Sequence, residues 1–80
     1  MKTIENLYST KDLSEASLLL VKNQKLIRFD RQGTIVYFVF ADKKTSEELA
    51  NQFWFGECFV NAKTYYGALQ TLKNRIFNQT

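Results

Sequence analysis

The chain has 80 residues, with 11 Lys and Arg against 8 Asp and Glu, a net charge of +3, and no histidine. Its one cysteine, Cys58, has no mate for an intrachain disulfide, and the lack of histidine removes Ser–His, Cys–His and most zinc chemistry. A chain this short makes one domain, 1–80, whose core must draw on its seven Phe, four Tyr and one Trp.

In chain order, Met1 to Tyr8 lacks the apolar run of a signal peptide. No apolar stretch exceeds the seven residues Ile35 to Ala41, far short of a bilayer span. A cytoplasmic setting without membrane contact is therefore expected. Ser9 stands three residues ahead of Asp12 and suits a helix cap, with Asp12 and Glu15 placed to favour the positive helix end. The first helix is expected to run to about Asn23, with Leu13, Ala16, Ser17 and Leu20 on one face and Leu18, Leu19 and Val21 widening it. Asn23 ends it in the left-handed conformation.

A hairpin follows, with strands from Lys25 to Asp30 and from Thr34 to Ala41. The intervening Asp30-Arg31-Gln32-Gly33-Thr34 predicts a type I turn with a glycine bulge, opposing Arg28 to Val36 and Leu26 to Phe38. Leu26, Val36, Phe38 and Phe40 then share one face, and Ile27, Phe29, Ile35, Tyr37 and Val39 the other. A two-residue loop would exchange these partnerships. In either register the second strand is apolar on both sides, which predicts cover on both faces, supplied by this molecule or by a twin.

Thr45 to Glu48 reads as a capping box, opening a helix over about Ser46 to Phe55 with Leu49, Ala50, Phe53 and Trp54 inward and Gly56 as its stop. Glu57-Cys58-Phe59-Val60 is short and apolar and is expected to be a third strand, with Cys58 a small buried hydrophobe. Asn61 caps a last helix to about Asn78, whose core positions Ala62, Tyr65, Leu69, Leu72 and Ile76 keep a helical period. The expected class is α+β in the order α-β-β-α-(β)-α, a small antiparallel sheet packed by helices.

No motif carries catalysis. The acidic pairs Asp12/Glu15 and Glu47/Glu48 sit at helix starts, and Gly33, Gly56 and Gly67 are too far apart for a phosphate loop. The chain is therefore read as non-enzymatic, with no metal and no small-molecule cofactor. Candidate nucleic-acid contacts are Arg28 and Arg31 along the hairpin and Lys63, Lys73 and Arg75 on the last helix. Solvated helix faces and edge cations that keep strands apart explain the same residues. Candidate partner-binding residues are Tyr37, Phe55 and Tyr66, because consecutive aromatics on one helix cannot all face one core.

The segments Tyr8 to Leu13, Val36 to Phe40, Phe53-Trp54, and Val60 to Lys63 leading to Tyr66, Leu69 and Leu72-Lys73 resemble a small family of domains from phages, mobile elements and bacteria with no assigned activity. The resemblance spans most of the chain and implies an accessory protein, with no functional residue to carry over. A second likeness, to double-stranded RNA-binding domains, rests on the helix, sheet and helix order and on Lys63. The expected function is binding of nucleic acid or a nucleoprotein complex. The alternative is a protein-interaction module that forms a homodimer or captures and inhibits a host protein.

Overall fold

Six elements appear in the computed structural model, which describes residues 6–78. They are β1 Leu7–Thr10, α1 Leu13–Val21, β2 Leu26–Gln32, β3 Ile35–Ala41, α2 Lys43–Trp54 and α3 Ala62–Asn78. The chain is α+β, with one antiparallel sheet ordered β1-β3-β2 and three helices. The reading of Met1 to Tyr8 as no leader lies largely outside the described residues.

The third strand is not Glu57 to Val60, which is irregular, but Leu7–Thr10 at the other end of the chain. It pairs with β3 from Leu7↔Ala41 to Thr10↔Phe38. The apolar strand β3 is thus central, with β1 on one side and β2 on the other. Ser9 is consequently a strand residue, and Asp12 takes the capping role instead, its side chain accepting from the Glu15 amide at 2.9 Å.

The hairpin closes on a two-residue loop, Gly33-Thr34, between Gln32 and Ile35, in place of the expected longer turn. Gly33 has φ +63°, and glycine at the first central position suits a hairpin turn whose twist matches the strands. Phe29 therefore faces Phe38 rather than the opposite side, and their rings meet edge to face at 5.5 Å. A β-bulge between Leu26 and Arg28 then shifts the pairing by one residue, so that Leu26 opposes Phe40. Leu26 keeps its expected face, although the pairing that puts it there is different.

Ala16, Leu19, Phe38, Phe40 and Leu72 form the core, with Tyr8, Leu13, Leu20, Leu26, Phe29, Leu49 and Ile76 packed on it. Residues Glu15 to Leu19 are all buried, so α1 is the central helix, against α3, α2 and β1. Cover on both faces of β3 is not what the fold provides. The helices contribute to the core on the Phe38/Phe40 side, while on the other side Ile27 and Ile35 are 42% and 40% exposed. Val39 on that side is nevertheless 3% exposed, because the bulge sets two β2 residues, Ile27 and Arg28, against it.

Local signals end the helices. At α1, Asn23 has φ +69°, its amide donates to Leu20, and the Gln24 amide donates to Leu19. At α2, Gly56 has φ +76°, with Gly56 donating to Phe53 and Glu57 to Gln52. Both are the paired closure that satisfies the last carbonyls of a helix. The start of α2 differs from expectation: Asp42, at φ +60°, caps it by accepting from the Thr45 amide, and Thr45 lies inside the helix. Ser46 is then fully buried, donating to the Ala41 carbonyl and accepting from Gln24 Nε2 at 2.9 Å. Asn61 caps α3 as expected, accepting from the Thr64 amide at 3.0 Å, but Ala62 is exposed.

Candidate functional site

Tyr8, Glu15 and Trp54 join three elements at one point. Glu15 is 5% exposed and has no cationic partner among the described residues. Its carboxylate accepts instead from the Tyr8 hydroxyl at 2.6 Å and from the Trp54 indole N–H at 2.7 Å. A buried carboxylate needs such donors, and bonds to a charged acceptor are the strong ones. Burial, and next the Glu15 carboxylate, push the Tyr8 hydroxyl above the ordinary tyrosine value, so Tyr8 keeps its proton and remains a donor. The arrangement ties β1, α1 and α2 together; it holds no nucleophile. The sequence alone marks Glu15 as an acid suited to a helix end. The signal pointing inward was its place three and four residues before the apolar Leu18 and Leu19.

The indole also accounts for a departure in α2. Trp54, expected inside, is 58% exposed, since its polar edge is anchored at Glu15 and the rest of the ring lies outward. Phe55 is 78% exposed, Phe59 85% and Tyr66 63%. They are near one another in the chain, where α2 ends and α3 begins: Trp54 and Phe55 close α2, Phe59 lies between the helices, and Tyr66 is in the second turn of α3. Trp54 and Tyr65 converge on the first turn of α1, where the Tyr65 hydroxyl donates to the Ser14 carbonyl at 3.0 Å. Lys22 Nζ donates to the Phe59 carbonyl and holds the linker against the end of α1. Cys58, expected to be buried, is half-buried in this linker. Phe59 is a surface residue because its segment, expected to be a strand, is irregular and joins no sheet. Of the aromatic candidates, Phe55 and Tyr66 belong to this surface, whereas Tyr37 is half-buried on the sheet's outer face.

The candidate cations are all exposed but do not form one strip. Arg28 is engaged by Asp30 at 2.9 Å. Arg31 Nη2 donates to the Ile76 carbonyl at 3.4 Å, bringing the hairpin beside the last turn of α3 and near Arg75. At about 100° per residue, Lys63, Lys73 and Arg75 point in directions roughly 80–160° apart around α3, and Lys63 is about 18 Å along the axis from Arg75. The charge is still unevenly placed. From Lys25 through β2, and along α3, six cations face one acid, Asp30, and α3 itself contains no acid.

Among the described residues no group of three or more His, Cys, Asp or Glu could hold a metal, and no helix is long and apolar enough to cross a membrane. The element order β-α-β-β-α-α also differs from the helix, sheet and helix order that suggested a double-stranded RNA-binding domain. In comparisons with known proteins, no protein-family model, curated protein or solved structure matches this chain.

Proposed function

We propose that this domain is a non-enzymatic protein-interaction module that pairs with a second copy of itself through the aromatic surface at the α2–α3 junction. One observation carries the reading: Trp54, Phe55, Phe59 and Tyr66 are each more than half exposed in a domain with little apolar material to spare. With roughly 150–250 Å² per aromatic side chain, these four expose roughly 400–700 Å². A standard interface takes about 800 Å² from each partner, so these residues supply half or more of one side of a stable dimer. Glu57 and Lys63, both exposed, put opposite charges beside it, so a copy meets no field of one sign.

Sedimentation equilibrium at low and high salt tests the proposal. A dimer is expected in both, because apolar burial is little affected by screening. Phe55→Ser with Phe59→Ser is expected to give a folded monomer whose Tm, unlike the wild type's, does not depend on protein concentration, both side chains being outside the core. A wild-type protein that stays monomeric at high micromolar concentration overturns the reading.

Binding of nucleic acid is the second reading, supported by the acid-free α3 and the cation excess along β2. It predicts DNA or RNA binding that weakens steeply with salt, with Arg31, Lys73 and Arg75 contributing. No binding at low salt removes it.

A further inference from the structure

A second surface, lined by none of the exposed aromatics, has a different character. β2 is an edge strand of seven residues, and beside its start lies a cleft of about 420 Å³ between β2, α3 and the end of α1. Leu20, Leu26 and Leu72 give the cleft apolar walls, and Lys25 and Arg75 add two cations. Neither cation has an ion-pair partner among the described residues, and the acid on this strand, Asp30, is engaged by Arg28.

We propose that this edge and cleft bind an extended acidic polypeptide segment as an added strand. The hairpin loop between Gln32 and Ile35 makes that pair a hydrogen-bonded one. Alternation along the ladder makes Asp30↔Tyr37 the next such pair, and leaves Arg31 and Phe29 with their N–H and C=O groups directed at the open edge. A strand laid there gains main-chain bonds at Phe29 and Arg31 and turns alternate side chains to the helix side. An apolar one enters the cleft, and acidic ones on either side of it reach Lys25, Arg75 and Arg31. Main-chain pairing supplies affinity, while the cleft and the cations supply selectivity. Nucleic acid fits less well, because the cleft has apolar walls and no aromatic ring among its lining residues on which a base could stack. The cleft shares no lining residue with the exposed aromatics, so the proposal stands or falls apart from self-association.

The test is an amide-resolved NMR titration with the acetylated peptide Glu-Glu-Val-Thr-Val-Glu-Glu, which places both Val residues on one side with a Glu beyond each. Saturable binding is expected, with shifts at Leu26, Leu72 and Arg75 and new hydrogen-exchange protection of the Phe29 and Arg31 amides. Lys25→Gln with Arg75→Gln, both exposed, should weaken binding roughly 3- to 10-fold while leaving the fold intact. A peptide N-methylated at both Val residues, whose N–H groups face Phe29 and Arg31 when the segment adds antiparallel, and one with Lys in place of every Glu, should not bind. No saturation at millimolar peptide, binding that leaves Phe29 and Arg31 unprotected, or equal binding of the N-methylated peptide overturns the proposal. So does a short oligothymidylate that shifts these amides when the acidic peptide does not, since that result assigns the cations to nucleic acid.

Discussion

Removing the Glu15 carboxylate is the most informative single perturbation of this fold. Glu15→Ala deletes the acceptor of two charge-assisted bonds, at 2.6 and 2.7 Å, that link α1 to β1 and α2. Bonds to charged groups are each worth about 1.5–3 kcal/mol net. Two effects reduce the total: the buried charge and its desolvation cost disappear as well, and the partly exposed Trp54 N–H can turn to water. Half-buried Tyr8 has less access to water, so most of its bond is lost. The expected cost is about 2–3 kcal/mol, a large share of the roughly 4–12 kcal/mol available to 80 residues. For a domain of this size it lowers Tm by roughly 8–24 °C. Glu15→Gln retains an oxygen for Trp54 and an amide that can donate to Tyr8, and should cost about 1 kcal/mol. Urea unfolding followed by fluorescence reads this directly, because Trp54 is the chain's single tryptophan and its indole is one of the donors. A cost under about 0.5 kcal/mol for Glu15→Ala, or equal costs for Ala and Gln, would refute the assignment of Glu15 as a hydrogen-bonded link.

Three further outcomes follow from the same packing. Because the Tyr8 hydroxyl is raised in the folded state, its contribution is complete below the ordinary tyrosine value of 10.0 and is lost as pH rises above it. Stability measured across alkaline pH should therefore fall less steeply in Tyr8→Phe than in the wild type, and equal slopes would count against the burial of that hydroxyl. Phe38→Ala, at 1% exposure between Thr10 and Phe29, should cost about 3–5 kcal/mol in equilibrium unfolding, whereas Tyr37→Ala on the outer face should cost clearly less. Gly56→Ala forces an L side chain to φ +76° in open space, so strain alone acts; a loss of about 1–2 kcal/mol is expected by thermal melting.

The sequence by itself was sufficient for whatever is decided within a few residues. The ends of α1 and α2 at Asn23 and Gly56, the cap at Asn61, the periodic stripe of α3 from Tyr65 onward and the hairpin arms all rest on bonds and contacts between near neighbours, and all are present. The exposure of Phe55 and Tyr66 was legible for the same reason: adjacent aromatics on a helix point in different directions. Capping choices proved harder, because Asp12 and Asp42 compete locally with Ser9 and Thr45, and the winner depends on where the strand beside it ends. The tertiary structure alone decided which segment completes the sheet. Leu7–Thr10 carries no signal of its own and becomes a strand only against β3, about thirty residues away; the more apolar 57–60 segment finds no free edge there. It also decided the register, through the Gly33-Thr34 loop and the bulge at Ile27, and the meeting of Tyr8, Glu15 and Trp54 from three elements. Pairing and burial of this kind are properties of the assembled chain, since the energy that selects them arises only when distant segments exclude water together.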